Sequence, residues 1–113
     1  MQLSVYDSNG AAVTIIVAGI SEPSDKSGAL ADGTAQELME ANEARSGWMI
    51  QNISVNPMYV NDLGATAKAV PTDGDGSIRI AAGETYCSEG KYLTLSAISI
   101  IGTALDKFIA REW

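Results

Sequence analysis

The stretch Arg45–Asn61, RSGWMIQNISVNPMYVN, has the highest apolar content of this 113-residue chain and decides the fold prediction. It predicts two β-strands, Gly47–Ser54 and Met58–Asn61, joined by a tight turn at Asn56-Pro57. The first strand has apolar residues on both faces. Such a strand is usually central in its sheet and covered on both sides, or covered by a partner chain. We therefore expect Arg45–Asn61 to form the central ribbon of a β domain.

The length and the glycine content are those of one β-rich domain. A chain of 113 residues forms one domain rather than two, and it buries about two-thirds of its unfolded surface on folding. Its 11 glycines separate short Val- and Ile-rich runs, which is the pattern of many short strands linked by turns. No run approaches the ~18 apolar residues of a membrane span, and the N-terminus lacks the features of a signal peptide. We expect a single soluble domain over residues 1–113, made in the cytoplasm.

The charge balance narrows the choice of partners. The chain has 14 acidic and 7 basic residues, a formal net charge of −7. No cluster of Lys or Arg is present to neutralise several phosphates, so direct binding of nucleic acid is not expected. Docking onto a basic protein surface agrees with the charge. The lone cysteine, Cys87, forms no disulfide within the chain, so stability is expected to come from packing or assembly.

The N-terminal third predicts a hairpin. Gln2–Asp7 and Ala12–Ala18 are strand-like, and Asn9-Gly10 between them is the strongest short signal for a two-residue turn. That turn would place Tyr6 opposite Val13 and leave both faces of the hairpin largely apolar. Either the domain sandwiches the hairpin or one face contacts a neighbour. We prefer the second interpretation and treat residues 1–18 as an arm. Its candidate contacts with a neighbouring protein or with other subunits are Leu3, Val5, Tyr6, Val13, Ile15 and Val17.

The rest of the chain alternates loops and short strands. Gly19–Gly33 is polar and predicts a long loop. Thr34–Ala44 fits either a helix, with Thr34 and Glu37 as a capping box, or a short strand followed by a helical turn. We prefer the strand because the surrounding pattern is all β. Further strands are predicted at Ser77–Ala81, Glu84–Ser88, Tyr92–Ile101 and Ala104–Glu112. The fold class is therefore all-β: an antiparallel β-sandwich, or a jelly-roll-like small barrel, over residues 34–113.

The residues that could carry out chemistry are few. The chain has no histidine, so Ser/His and Cys/His pairs and imidazole metal ligands are ruled out. Cys87 lies in a strand-like context with no general base nearby in sequence, which favours a structural thiol. Asp73 and Asp75 alternate with glycines, but the further ligands of a calcium loop are missing, so this stretch predicts plain turns. We expect no catalytic residue, no cofactor and no metal.

The aromatic residues are predicted to pack rather than to react. Two Trp and four Tyr in a β domain of this size usually fill a core or an interface. A Trp at position 113 is expected to pack on the strands or on a neighbouring subunit, and the amide of Asn52 to satisfy backbone groups of a loop or a sheet edge. The candidates for core or oligomer packing are Trp48, Ile50, Tyr59, Phe108 and Trp113.

From about Gly33 to Glu112 the chain resembles a group of small virion proteins of tailed bacteriophages. The order of short marks along these residues makes the resemblance moderately specific, and the residues before Gly33 depart from it. The marks are Gly33-Thr34-Ala35-Gln36, Ala41-Asn42 with Arg45, Ile50-Gln51-Asn52 with Ser54, Tyr59-Val60-Asn61 before Leu63-Gly64, Ser77-Ile78 with Ile80 before Ala82-Gly83-Glu84, Ala97-Ile98-Ser99-Ile100 with Gly102, and Ala110-Arg111-Glu112.

The resemblance implies a compact β-sandwich in a non-enzymatic virion structural protein. We expect a capsid cement or decoration protein on the outside of the phage head, a homotrimer whose partner is the major capsid protein. The alternative is a head or tail fibre component that binds a glycan or protein of the host surface, with exposed aromatic residues such as Tyr92. A third class, a small glycan-active enzyme, would need activity that depends on one or two acidic residues, and we expect none.

Overall fold

The computed structural model of the chain describes residues 2–6, 12–16, 22–69 and 76–113. These ranges are all β, with no helix, as the fold class predicts. Their eleven strands are β1 (Gln2–Tyr6), β2 (Ala12–Ile16), β3 (Ser24–Asp25), β4 (Gly28–Ala29), β5 (Gln36–Met39), β6 (Trp48–Asn52), β7 (Met58–Asn61), β8 (Ile78–Ile80), β9 (Thr85–Cys87), β10 (Ile98–Gly102) and β11 (Lys107–Glu112).

Two antiparallel sheets form the sandwich. One has four strands in the order β5-β10-β7-β8. The other has the order β3-β11-β6-β9, with β4 also paired to β11. No described strand joins the two sheets, so the small barrel offered as an alternative does not form. The space between the sheets is filled by a single cluster of buried side chains: Leu30, Leu38, Met39, Trp48, Ile50, Met58, Val60, Ile80, Ile98, Ile100, Phe108 and Ala110.

The predicted central ribbon is divided between the two sheets. Both predicted strands exist, as β6 and β7, but β6 pairs with β11 and β9, whereas β7 pairs with β10 and β8. The prediction that a tight turn joins them as neighbours is therefore wrong. Residues 53–57 cross from one sheet to the other. Pro57 at the end of this crossing has no N–H to donate to a strand ladder.

Strand β6 is central, as expected, but only one of its faces is fully covered. Trp48, Ile50 and Asn52 are each 0% exposed, whereas Met49 and Gln51 on the opposite face are half-buried. The buried face points to the other sheet, since residues two apart share a face of a strand.

The segment predicted as a loop before residue 34 is partly strand. β3 pairs with Arg111 and Glu112, and β4 pairs with Lys107 and Phe108, so both extend the same edge of β11. Leu30 follows directly and is fully buried; its N–H donates to Asp106 O at 2.9 Å. The polar composition of this segment did not predict that β3 and β4 pair with β11. It also did not predict that the Leu30 side chain enters the core.

The ambiguous segment and the long apolar segment both form shorter strands than predicted. In 34–44 the preferred strand occurs as β5, and it is followed by a turn in which Arg45 N donates to Asn42 O at 3.2 Å, not by a helical turn. In 92–101 only β10 is a strand, and residues 92–97 run outside either sheet. The expected division near Ser96 is therefore present, but the first half lacks strand partners.

The N-terminal hairpin is present with a different register. β1 and β2 pair only with each other among the described strands. Tyr6 pairs with Ala12 rather than with Val13. The predicted pairing of Tyr6 with Val13 is therefore wrong, whereas the predicted turn at Asn9-Gly10 lies outside the described residues.

This register changes which residues of β1 and β2 share a face of the hairpin. Paired residues share a face of a two-stranded ribbon, so the pairs Leu3 with Ile15 and Val5 with Val13 fall on one face. The alternate pairs fall on the other face and include Ser4 with Thr14. By register and sequence, the apolar residues Leu3, Val5, Val13 and Ile15 are thus assigned to one face of the hairpin.

Candidate functional site

A buried ion pair at one end of the sandwich connects segments that are far apart in sequence. Arg45 donates to the Glu112 carboxylate from Nε at 2.9 Å and contacts it through Nη2 at 2.8 Å. Arg45 Nη1 also donates to the backbone carbonyls of Thr94 and Ser96. Asn42 Nδ2 donates to the second Glu112 oxygen at 2.9 Å. We call this set of contacts the Arg45–Glu112 network.

The network keeps Glu112 ionised. Burial by itself raises the pKa of Glu112, but hydrogen bonds from Arg45 and Asn42, with the charges of Arg45 and Lys26, outweigh burial and hold the pKa below its ordinary value of 4.5. Both carboxylate oxygens accept hydrogen bonds from the protein. This geometry is that of a structural ion pair rather than a general acid.

Trp113 closes the same end of the sandwich. Its N–H donates to Gly47 O and its carbonyl accepts from Gly47 N, both at 3.0 Å. A Cβ built on Gly47 would lie 2.6 Å from Cε2 of the indole. The ring therefore packs directly on the Gly47 backbone, and the half-buried Trp113 side chain also borders a cavity. We call this the Trp113 end.

The cavity beside Trp113 has a volume of about 200 Å³. Its lining contains carboxylates and no basic side chain, because the Arg45 side chain behind Glu112 is 0% exposed. An acceptor-rich cavity with an aromatic wall suits a hydrogen-bond donor or a cation better than an anion. The lining residues are Glu22, Ser24, Asn42, Ala44, Glu112 and Trp113.

Exposed apolar side chains gather at this end. Tyr92, Leu93 and Leu95 are 53%, 47% and 41% exposed, and Leu63 is 63% exposed. We call these four residues the leucine patch. The segment that carries Tyr92, Leu93 and Leu95 is held by the hydrogen bonds from Arg45 to the carbonyls of Thr94 and Ser96, and Asn42 N donates to Leu95 O at 2.9 Å. The backbone of Leu95 therefore lies beside Asn42, a residue of the Trp113 cavity lining.

Tyr92 is exposed along its ring and fixed at its hydroxyl. The phenol oxygen lies 3.0 Å and 2.8 Å from the two carboxylate oxygens of Asp62, which is only 1% exposed. Burial of the hydroxyl and its hydrogen bond to Asp62 raise the pKa of Tyr92. The hydrogen bond orients the ring and brings Leu63, the neighbour of Asp62, to the same surface.

The opposite end of the sandwich has a smaller apolar group. Ile53, Val55 and Leu105 are 49%, 88% and 77% exposed. The connections that carry them are tied together where Asn56 Nδ2 donates to Asp106 Oδ2 at 3.0 Å. None of these three side chains lines the Trp113 cavity.

The second cavity lies on the four-stranded sheet. It has a volume of about 280 Å³ and is bounded by β5, by residues 64–66 and by the start of β10. Its lining is small and mostly uncharged, with Glu37 as the charged exception. It has no aromatic wall, so it offers less to a ligand than the Trp113 cavity.

The residues predicted to contact the capsid or other subunits are brought together only in part. Leu3 pairs with Ile15 and Val5 with Val13 in the β1–β2 ribbon, while Tyr6 pairs with Ala12 on the other face. Val17 lies outside the described residues. The ribbon register thus groups four of the predicted contact residues.

The residues predicted for core or oligomer packing take two positions. Trp48 and Ile50 are 0% exposed and Phe108 is 5% exposed, and all three belong to the core cluster. Tyr59 on β7 and Trp113 after β11 are half-buried. The prediction for Asn52 is confirmed: its Nδ2 donates to Asn56 O at 2.7 Å and to Ile80 O at 3.0 Å.

The described residues contain no group of three or more Cys, Asp, Glu or His that could hold a metal ion. Asp73 and Asp75 lie outside these residues. Cys87, predicted to be a buried structural thiol, lies on β9, where it is half-buried and pairs with Met49. No helix within the described ranges is long and apolar enough to cross a membrane.

The Trp113 cavity and the leucine patch are not evident from the sequence. The sequence pattern predicts a strand that includes Leu93 and Leu95, and alternate residues of a strand are usually buried. Glu22 stood in a predicted loop. The signal that was available is the β-prone run Tyr92–Leu95 next to the break at Ser96, which leaves large apolar residues without a sheet to join.

Comparisons of the chain with known protein families, with curated proteins and with solved structures gave no match.

Proposed function

We propose that this protein is a non-enzymatic structural protein of a phage virion, a capsid cement or decoration protein that binds the outer head surface and stabilises the coat lattice. The observation that carries the proposal is the β1–β2 ribbon, which pairs with neither sheet and has one apolar face formed by Leu3, Val5, Val13 and Ile15. A two-stranded ribbon is not stable by itself in water, so its apolar face favours a partner surface.

The proposed partners follow from the charge and from the sandwich. A β-sandwich with a net charge of −7 suits a basic protein surface rather than a nucleic acid. The major capsid protein is the proposed partner, and the resemblance of residues 33–112 to virion proteins supports this choice. No nucleic-acid or membrane contact is part of the proposal.

Assembly as a homotrimer is part of the proposal because it explains how modest contacts stabilise a lattice. Each ribbon contact is weak by itself. Linking several contacts in one oligomer makes later binding events intramolecular and raises the apparent affinity by about 10²–10⁴. A trimer that bridges adjacent coat subunits would therefore resist the internal pressure of packaged DNA.

The proposal is tested with purified protein and emptied heads of its parent phage. Light scattering should give the mass of a trimer, and the protein should co-sediment with the heads and raise the temperature at which they rupture. A monomer that fails to co-sediment would overturn the proposal.

The ribbon register supplies a matched pair of variants. Val5→Asp with Val13→Asp places two charges at one pair on the apolar face, whereas Ser4→Asp with Thr14→Asp places them at the neighbouring pair on the other face. The first variant should lose head binding and the second should keep it. Equal loss in both variants would argue against the apolar face as the contact.

A fibre component that binds a glycan or protein of the host surface is the second candidate. It is favoured by Tyr92, a residue that is 53% exposed while its hydroxyl is held by Asp62. An oriented, exposed aromatic ring is suited to stack on a sugar. Binding to a glycan array that disappears in Tyr92→Ala would support this candidate, and absence of glycan and cell binding would count against it.

A further inference from the structure

We infer that the Trp113 end of the sandwich is a docking surface for a basic segment of a partner protein, with one Lys or Arg side chain in the Trp113 cavity and the adjoining apolar residues on the leucine patch. The inference rests on the proposed function for the identity of the partner, a coat subunit. It adds a contact surface on the sandwich that is separate from the β1–β2 ribbon.

The cavity has the chemistry of a cation site. Glu22 and Glu112 bring carboxylates to a space of about 200 Å³, and the indole of Trp113 forms part of the wall. A cation against an indole face is the most favourable cation–π pair. Arg45 neutralises much of the charge of Glu112, so Glu22 is the carboxylate that remains for an incoming cation.

The segments that carry the cavity lining have more exposed acidic than basic residues, and the exposed base among them is Arg111 beside Glu112. Glu40 and Glu43 are exposed in the connection that carries Asn42, and Glu22 is exposed on the other side of the cavity. Lys26, the base whose charge acts on Glu112, is half-buried. Charge complementarity therefore selects a basic partner, and the net charge of −7 steers it in the same direction.

The leucine patch reaches the cavity through the backbone of Leu95. Asn42 lines the cavity and donates its N–H to Leu95 O at 2.9 Å. Leu93 and Tyr92 precede Leu95 in the chain, and all three residues are more than two-fifths exposed. An apolar centre beside a charged rim is the usual anatomy of a protein interface, and an Arg anchor in a pocket is a frequent hot spot. The exposed apolar residues at the opposite end, Ile53, Val55 and Leu105, line neither of the two cavities described above.

The test uses the full-length, ¹⁵N-labelled protein and two capped tripeptides. Ac-Leu-Arg-Leu-amide should shift the indole N–H resonance of Trp113 and the backbone N–H of Asn42 in a saturable manner. The indole of Trp48, which is 0% exposed, is an internal control that should not move. Ac-Leu-Glu-Leu-amide should cause no saturable shift at the same concentrations.

Matched variants test whether peptide binding depends on residues at the Trp113 cavity or only on the overall negative charge of the protein. Glu22→Gln should weaken binding of the arginine peptide about three- to fivefold, which is the range that a partly exposed ion pair supplies. Glu37→Gln removes an exposed charge at the other cavity and should leave binding unchanged. Leu93→Gln should weaken binding, whereas Val55→Gln at the opposite end should not.

Three outcomes would overturn the inference: no shift of the Trp113 resonance, an equal shift with the glutamate peptide, or wild-type affinity in Glu22→Gln. Failure here is distinguishable from failure of the proposed function. Heads that bind wild-type protein and the Glu22→Gln variant equally would leave the cement function intact and remove this surface. Peptide binding without head binding would support the surface and reject the coat as its partner.

Discussion

Single buried polar residues fix the ends of this sandwich, and Arg45 and Glu112 are the clearest example. Their hydrogen bonds join the turn after β5, the Tyr92–Ser96 segment and the last strand. Sequence periodicity could place Glu112 in a strand but not on its buried face, because acidic residues in strands usually point to solvent. Its partner lies 67 residues away in sequence, and no local pattern specifies such a pair.

Replacing Arg45 with Met should strongly destabilise the protein. The change leaves the Glu112 carboxylate buried without its cation, and breaking a buried pair in this way costs about 3–5 kcal/mol. Urea denaturation followed by tryptophan fluorescence measures the free energy of unfolding. Arg111→Met is the matched control. Arg111 is exposed on β11, the strand that contains Glu112, so its loss should lower the free energy of unfolding by less than about 1 kcal/mol. If both variants lost the same free energy of unfolding, the buried Arg45–Glu112 pair would stabilise the protein no more than an exposed charge does.

The same pair predicts a sensitivity to acid. The pKa of Glu112 in the folded protein lies below its ordinary value of 4.5, so the unfolded state takes up a proton at this group first as the pH falls. The stability that the group contributes is therefore present above pH 4.5 and is lost as the pH falls through the lowered pKa. Glu112→Gln should show a smaller loss of stability between pH 5 and the lowered pKa than wild type, measured by thermal unfolding at several pH values. Glu43→Gln, an exposed neighbour, should keep the wild-type dependence.

At the scale of elements, the strands were more predictable than their pairing. β6, β7, β8 and β9 lie within their predicted ranges because period-two alternation and glycine turns are local signals. Which sheet each strand joins is decided by contacts between distant residues. The crossing after Asn52 illustrates this: Asn52 Oδ1 accepts from Ser54 N at 2.9 Å, and its Nδ2 donates toward Ile80 in the other sheet. The sequence suggested that the amide would satisfy backbone groups, but not that these groups belong to a crossing between sheets.

Replacing Asn52 with Asp should destabilise this crossing. An aspartate has no N–H to donate to Asn56 O and Ile80 O, and its charge would be buried beside both carbonyls. We expect a loss of about 3 kcal/mol or more, since a buried unpaired charge adds to the lost hydrogen bonds. Gln51→Glu adds the same charge to the half-buried face of the same strand and should cost much less. Differential scanning calorimetry of both variants gives the comparison, and similar melting temperatures would contradict the role assigned to Asn52.

The packing of Trp113 at the end of the last strand depends on Gly47, which has no side chain. Gly47→Ala would place a methyl group 2.6 Å from the Trp113 indole, in the middle of the hydrogen bonds between Gly47 and Trp113. We expect a loss of about 1–3 kcal/mol from overpacking and a change in the near-ultraviolet circular dichroism of the indole. Gly33→Ala is the matched control because nothing lies within 4 Å of its added Cβ. An unchanged Gly47→Ala protein would mean that the indole does not pack on this backbone.

At the scale of the whole molecule, the sandwich and the β1–β2 ribbon are separate units of pairing. Every member of the described core cluster lies between residues 30 and 110, and the ribbon pairs with neither sheet. The sequence indicated this division because the resemblance begins at about Gly33 and the residues before it depart from it. Residues 19–33 were predicted as a loop between the two units, and two short edge strands and the buried Leu30 within this range belong to the sandwich.

This division predicts that the protein without residues 1–21 folds by itself. Because the truncated chain keeps both sheets, the core cluster and the Arg45–Glu112 network, it should unfold cooperatively within about 3 °C of the full-length melting temperature. If the ribbon is the proposed contact, the same truncation should abolish assembly and head binding.

A second truncation, which also removes β3 and β4 and leaves Leu30 without its neighbours, should lower the melting temperature sharply. Calorimetry and light scattering on the three proteins separate stability from assembly. An unfolded or aggregated first truncation would show that the ribbon belongs to the core, and a folded, fully assembling one would show that the ribbon is not the contact.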